Sequence, residues 1–314
     1  MNLRVNLAGI ELETPLVIAS GIYGYGQEYQ ALSAAEGAGG VVLKTVTVEP
    51  RAGNAPACRT VETPSGMLNS IGLENVGLEA FLRDRLPEAR RLPVKVIVSI
   101  AGFTTEEFIQ LAERLDQEPG IAALELNISC PNVEKGGLVF GCDPEAAAQV
   151  VAKCRQVTRL PLIPKLTPNV TDLVSIARAC EKAGADALSL INTISGMAIN
   201  IHTRRPRLGH DFGGLSGPAI RPAAVLRVLQ VARAVELPVI GMGGIWDAED
   251  ALEFIIAGAT AVAVGTALFF DPQRPRRIIE GLTAFLQEQG IANITELIGS
   301  VQLNQPHGAI KAEE

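Results

Sequence analysis

The stretch LELNISCPN, residues 124–132, begins as an apolar strand and ends abruptly in polar side chains. Pro131 removes a backbone donor and pushes Cys130 out of helical conformation, so the thiol lies on a turn at the mouth of the strand. Asn127 and Ser129 place an amide and a hydroxyl beside it. This setting favours a chemical role for Cys130 over the usual role of a lone cysteine as a small buried apolar residue.

Seven further apolar runs resemble the start of this stretch, and helical segments lie between most of them. The eight runs lie at residues 16–20, 41–45, 94–100, 124–128, 162–167, 187–193, 238–244 and 261–266. Strands that alternate with helices imply a parallel sheet with right-handed crossovers. Eight such units predict an α/β fold of the (β/α)8 TIM-barrel type. A doubly wound open sheet is the alternative, but Gly24 and Gly26 lack the third glycine of its usual first turn.

The domain organisation follows from the same pattern. We expect one barrel domain over residues 1–304 and a loose polar tail over residues 305–314. A long insertion, residues 194–217, follows the sixth strand and carries three arginines. We expect this insertion to be a solvated loop, with a subunit contact as the alternative.

Composition excludes several classes of protein. Of the 314 residues, 47% are apolar and only 4% aromatic, which suits parallel strands buried on both faces. The net charge of −7 argues against a nucleic-acid surface. No apolar run reaches the roughly 18 residues of a membrane span, so we expect a cytoplasmic protein that makes no membrane contact. Five cysteines without a C-x-x-C pair predict reduced thiols, and the scattered histidines predict no metal site.

Barrel enzymes build their sites at the carboxyl ends of the strands. The side chains at these ends are small or polar: Ser20, Lys44, Thr45, Ser99, Asn127, Lys165, Asn192, Thr193, Gly243, Gly244, Gly265 and Thr266. Polar residues are common at strand ends, because the loops that follow are exposed to solvent. A lysine that ends an apolar strand is a stronger indication of a binding site, because burying an ammonium group is unfavourable unless a nearby anion balances its charge. Glycines after strands seven and eight often seat a phosphate on backbone N–H groups, so the ends together favour a phosphorylated ligand.

Several ordered blocks of the chain resemble the flavin-dependent dihydroorotate dehydrogenases over residues 1–304. The blocks are KT at 44–45, NSIGL at 69–73, NISCPN at 127–132, INT at 191–193, GGLSGPAI at 213–220, GMGGI at 241–245 and VGT at 264–266. Cys130 in place of serine, the lack of an N-terminal extension, and NVEKGGLVFG at 132–141 are similar to the NAD-linked class 1B catalytic subunits. One position departs from the family, which usually has asparagine where this chain has Ser99.

The resemblance implies one FMN per chain and a defined set of contacts. It implies cofactor contacts from Ser20, Lys44, Thr45, Ser99, Asn127, Lys165, Ile191, Gly217, Gly243, Gly244, Gly265 and Thr266. It implies substrate contacts from Lys44, Asn69, Ser70, Ile71, Gly72, Leu73, Asn127, Asn192 and Thr193, with Asn132 nearby. It also implies a partner subunit that carries FAD and a 2Fe–2S cluster, and a homodimer core within a heterotetramer.

The implied reaction is oxidation of (S)-dihydroorotate to orotate in pyrimidine biosynthesis. The hydride of C6 goes to flavin N5, Cys130 takes the C5 proton, and the partner passes the electrons to NAD. The loop at 131–141, which contains Gly136 and Gly137, is expected to close over the site. Three alternatives stay open at this point: a fumarate-reducing class 1A enzyme, a related FMN-dependent dihydropyrimidine dehydrogenase, and a non-enzymatic barrel that binds a phosphate ligand.

Overall fold

The computed structural model describes residues 1–26, 35–55, 57–129 and 139–304, and the backbone of residues 131, 132 and 138. Eight parallel strands form a closed barrel: β1 Leu16–Ile18, β2 Gly40–Val42, β3 Lys95–Ile100, β4 Ala123–Leu126, β5 Leu162–Leu166, β6 Leu188–Leu190, β7 Val239–Met242 and β8 Ala261–Val264. Each strand pairs with the next in chain order, and β8 pairs with β1. The predicted TIM barrel is therefore confirmed.

Helices surround the barrel where the sequence predicts them. They are Leu78–Ala80, Phe81–Arg85 and Leu86–Ala89, then Thr105–Asp116, Pro144–Val157, Leu173–Lys182, Arg221–Ala232, Ala248–Ala257, Ala267–Phe270 and Arg274–Gln289, with short 3-10 turns at Phe140–Cys142, Pro218–Ile220 and Ile294–Leu297. Side chains cap two of these helices: the Asp143 carboxylate accepts from the amides of Glu145 and Ala146, and the Thr104 hydroxyl accepts from the amide of Glu107. Among the described residues, no helix has the length and apolar character needed to cross a bilayer.

Three regions predicted from sequence lie outside the described residues. They are most of the helix expected at residues 27–36, the thiol of Cys130 with the loop residues that follow it, and the tail at residues 305–314. A hairpin of Val5–Leu7 and Ile10–Leu12 precedes β1. Its Leu12 side chain contacts the start of β2, where a Cβ on Gly39 would lie 3.1 Å from the Cβ of Leu12.

The insertion after β6 is more ordered than expected. Ile194–Gly196 and Gly213–Ser216 join a hairpin of Thr60–Thr63 and Gly66–Asn69 in a four-stranded antiparallel sheet, which we call the mouth sheet. The expectation of a simple solvated loop is therefore wrong for these segments. Its tip, with strands Ile199–Asn200 and Arg205–Pro206, is the more exposed part. The local pattern could not show this, because the strand that pairs with Gly213–Ser216 lies almost 150 residues earlier.

Candidate active site

A cavity of about 800 Å³ opens at the carboxyl ends of the barrel strands. It collects almost every contact residue expected from the sequence: Ser20, Lys44, Thr45, Asn69, Ser70, Ile71, Gly72, Leu73, Asn127, Lys165, Ile191, Asn192, Thr193, Gly217, Gly243, Gly244, Gly265 and Thr266 all line it. Ser99 lies beneath the lining, fully buried, with its hydroxyl 2.9 Å from Thr45 Oγ1. The described neighbour of Cys130, Ser129, also lines the cavity.

The strand register shows which side chains face the inside of the barrel. Residues paired on adjacent strands point to the same face of a sheet, and successive residues alternate. Lys165 lines the cavity and pairs with Ser189, and Glu125 pairs with both Ser99 and Ile163. One side of the barrel interior, from β3 to β6, is therefore polar; we call Ser99, Glu125, Lys165 and Ser189 the polar arc.

The opposite side, formed by β7, β8 and β1, is apolar. Met242 and Ala263 line the cavity and are register partners, and Ala263 pairs with Val17. One layer deeper, Ile240 pairs with Ala261. We call these five residues the apolar arc. Of the two side chains of this arc that line the cavity, Ala263 is the smaller.

Two lysines bring positive charge into this cavity. Lys165 is only 8% exposed, and Lys44 is partly buried. Within the described ranges, neither ammonium group has an ion-pair partner or a side-chain hydrogen bond, in contrast to Arg59, which pairs with Glu74 at the edge of the cavity. Buried charge without a partner is unfavourable, so the arrangement is suited to an anionic ligand.

Hydrogen bonds within the fold orient two amide side chains of the cavity. Asn192 donates to the Ser129 hydroxyl at 2.9 Å, and its oxygen accepts from the amide of Thr193 at 2.8 Å. Asn69 donates to the carbonyl of Gly214 at 3.3 Å, across the mouth sheet. Because one end of each contact is fixed, the remaining donors and acceptors are presented to the cavity in a defined direction.

Sequence reasoning missed Asn75, which holds the 69–73 segment in place. This side chain is 6% exposed, donates to the carbonyl of Leu73 and to Thr47 Oγ1, both at 2.8 Å, and accepts from the amide of Gly77. The backbones of Asn75 and Arg51 also exchange two hydrogen bonds. Thr47 lies 28 residues away in the chain, so no local pattern indicated the contact.

Aromatic and cationic residues at the cavity edge were also missed. The guanidinium of Arg51 lies 4.5 Å from the ring centre of Phe103, and both residues line the cavity. On the other side, Trp246 and Phe269 contribute to the lining, and Arg274 stacks on Trp246. Arg51, Phe103 and Trp246 lie in loops after strand ends, whereas Phe269 and Arg274 lie in helices, and no local pattern marked any of them.

The glycines at the carboxyl ends are of two kinds. Gly243 and Gly244 have φ of 129° and 82°, and a Cβ on either would lie within 3 Å of neighbouring atoms, so the fold itself requires them. Gly265 has no such constraint, because the nearest atom to an added Cβ would be Ala19 Cβ at 3.7 Å. That is an ordinary van der Waals distance, and Gly265 lines the cavity, which favours close approach of a ligand to its backbone.

The remaining described cysteines are unlike one another. Cys154 and Cys180 are buried, and burial raises the pKa of each thiol to about 12. Cys58 and Cys142 are exposed, unlike the small buried apolar residue that a lone cysteine usually is. Within the described part of the chain, no group of three or more His, Cys, Asp or Glu side chains is arranged to hold a metal ion.

Comparison with known proteins gives one consistent result. The family model described as dihydroorotate dehydrogenase matches residues 2–286. Proteins named "Dihydroorotate dehydrogenase B (NAD(+)), catalytic subunit" are similar over nearly their whole length. That of Desulforudis audaxviator is 57% identical, covering 94% of this chain and 96% of the relative. That of Geotalea uraniireducens is 55% identical, covering 96% and 98%. The chain belongs to the dihydroorotate dehydrogenase family.

Proposed function

We propose that this chain is the catalytic subunit of an NAD-linked dihydroorotate dehydrogenase, which oxidises (S)-dihydroorotate to orotate in pyrimidine biosynthesis. The shared name of its relatives, at 54–57% identity, supports this assignment. The observation that carries it is the cavity: two unpaired ammonium groups and two oriented amide side chains surround one space at the mouth of a closed barrel. Such a set suits an anionic substrate with a ring of amide groups.

FMN is the cofactor we propose for the inner part of the cavity. The residues present suit it: the accessible backbone of Gly265 suits a phosphate, the small side chain of Ala263 suits a flat ring, and Lys165 suits a ring that becomes negative when reduced. The residues that would hold it are Ser20, Lys44, Thr45, Asn127, Lys165, Ile191, Gly217, Gly243, Gly244, Gly265 and Thr266, with Ser99 acting through Thr45. When bound, FMN supplies the hydride acceptor.

Dihydroorotate is proposed to occupy the outer part of the cavity. Its carboxylate and ring amides would contact Lys44, Asn127, Asn192, Thr193 and the segment from Asn69 to Leu73. Asn75 fixes that segment, and Ser129 fixes Asn192, so the contacts are set before the substrate arrives. Preorganised contacts of this kind lower the entropic cost of orienting C5 and C6 of the substrate for reaction.

Cys130 is proposed to remove the C5 proton as a thiolate. Its own position lies outside the described residues, but both flanks are tied to the barrel. Ser129 accepts a hydrogen bond from Asn192, and Gly141 donates its amide to the carbonyl of Ile128 at 2.8 Å. Phe140 is buried against the ring of Phe108. The described residues before and after Cys130 are thus anchored to the barrel, and Ser129 lines the cavity.

A separate electron-transfer subunit would pass the electrons to NAD. The words "catalytic subunit" in the names of the relatives support a partner of this kind. We propose that the partner carries FAD and a 2Fe–2S cluster, that two copies of this chain form the core of a heterotetramer, and that the complex works in the cytoplasm.

The decisive experiment is to purify the chain alone and together with its electron-transfer subunit. We expect one FMN per chain, bleaching of the flavin by dihydroorotate in both preparations, and NAD reduction only in the complex. Turnover of the isolated chain with fumarate would instead indicate a class 1A enzyme. Bleaching by dihydrouracil but not by dihydroorotate would indicate a dihydropyrimidine dehydrogenase, and a colourless protein that binds only phosphate compounds would overturn the enzymatic proposal.

A further inference from the structure

Glu125 is a buried carboxylate that the proposed reaction does not use. It lies on β4, two residues before Asn127, and its side chain belongs to the polar arc inside the barrel. Only 1% of it is exposed. Its Oε2 accepts a hydrogen bond from the Ser189 hydroxyl at 3.1 Å, whereas Oε1 has no hydrogen-bond partner among the described residues. Barrel interiors are normally filled by branched apolar side chains, so this residue is unusual.

The strand register places Glu125 on the strand next to that of Lys165, and its carboxylate reaches the level of Lys165 inside the barrel. Ser189, which donates to Glu125, is the register partner of Lys165 on the adjacent strand. Glu125 itself is the register partner of Ile163, two residues before Lys165 on β5. The lysine therefore stands on the strand between Glu125 and Ser189. Both charged groups are buried, and the lysine has no carboxylate within ion-pair distance among the described residues.

We propose that the Glu125 carboxylate acts as a positioning residue that, by opposing the charge of Lys165, lowers the reduction potential of the bound flavin. This inference depends on the proposed function, because it requires FMN above the polar arc. Charges in a water-excluded interior interact more strongly than they do in water. A negative charge beneath the ring makes the reduced, negatively charged flavin less stable. The electrons are then more readily passed on to the next carrier.

The test is the isosteric variant Glu125→Gln, measured by equilibrating the enzyme-bound flavin with a reference redox dye at pH 7. We expect the equilibrium between flavin and dye to shift about tenfold toward reduced flavin, which is about 30 mV for a two-electron couple. Glu113→Gln, on an exposed helical position, is the matched control and leaves the potential unchanged. A potential for Glu125→Gln equal to that of the wild type would overturn the inference.

A second comparison keeps the inference testable if Glu125→Gln does not fold. Removing one of two opposite buried charges is often more harmful than removing both. The double variant Glu125→Gln/Lys165→Gln is then compared with Lys165→Gln, and we expect a higher potential in the double variant. Equal potentials would overturn the inference. A preparation that binds no FMN at all would instead contradict the proposed function, so the two failures are distinguishable.

Discussion

The two sides of the barrel interior differ in whether they contain buried polar groups that lack a hydrogen-bond or ion-pair partner. On the apolar arc, Met242, Ala263 and Val17 pack as the interior of a TIM barrel normally does. On the polar arc, Lys165 has no anion and Glu125 has a free oxygen among the described residues, although both are buried. Native proteins pair buried polar groups with few exceptions. The difference is the reason we propose that a bound ligand satisfies the polar arc, whereas the side chains of the apolar arc pack against one another.

The largest expected effect concerns Cys130, which follows the strand in the middle of the polar arc. Cys130→Ala should slow flavin reduction by dihydroorotate by about 10²–10⁴-fold, because a general base is lost. In the wild type the rate should rise with pH, since the thiolate is the base and a free thiol has a pKa near 8.5. Stopped-flow absorbance of the flavin measures both. An undiminished rate in Cys130→Ala, or a flat profile from pH 6 to 10, would exclude this role.

Lys165 carries the positive charge of the polar arc, and its loss should have the next largest effect. Lys165→Met should slow flavin reduction about 10²-fold, because one preorganised electrostatic contact to the developing negative charge is removed. Lys95→Met is the matched control, since Lys95 is an exposed lysine at the opposite end of a barrel strand. Equal rates for the two variants would show that the charge of Lys165 is not used.

Glycines on the apolar side separate ligand binding from folding. Gly265→Ala should weaken FMN binding about tenfold, or ~1.4 kcal/mol, yet change the stability of the apoprotein by less than ~0.5 kcal/mol. Gly241→Ala should do the reverse, because its Cβ would lie 2.8 Å from Phe254 and overpacking costs about 1–3 kcal/mol. Fluorescence titration of FMN and urea unfolding of the apoprotein measure the two quantities. Unchanged FMN affinity in Gly265→Ala would mean that no ligand contacts this backbone.

The smallest effect is expected outside the polar arc, where Cys154 and Cys180 lie on the helices that cover β4 and β5. With a pKa of about 12, each thiol is ionised to about 10⁻⁴ at pH 8. In a Cys130→Ala background, iodoacetamide should therefore label Cys58 and Cys142 and leave Cys154 and Cys180 unmodified until urea unfolds the chain. Mass spectrometry of peptides reads the sites. Early labelling of Cys154 would show that solvent reaches the interface between its helix and the barrel strands.

The sequence predicted the strand ends well because they depend on short, local patterns. An apolar run that stops at Lys44, Asn127 or Lys165 predicts a strand, and it predicts that the polar side chain at its end faces the site. The partners of those side chains were not predictable in this way. Glu125 and Ser189 are 64 residues apart, and Asn75 and Thr47 are 28 apart. Such contacts depend on the register of the closed barrel, which no single segment contains.

The mouth sheet has a consequence for how the site responds to change. Met67 pairs with Ser216, Leu68 with Leu215 and Asn69 with Gly214, so a segment that follows β2 is joined edge to edge with one that follows β6, on the other side of the ring. The two halves of the proposed substrate site are thus joined by one continuous antiparallel sheet, although the barrel strands that they follow lie on opposite sides of the ring. Because these strands are hydrogen-bonded to each other, we expect a change in one of them to alter the other, and both halves of the proposed substrate site with it.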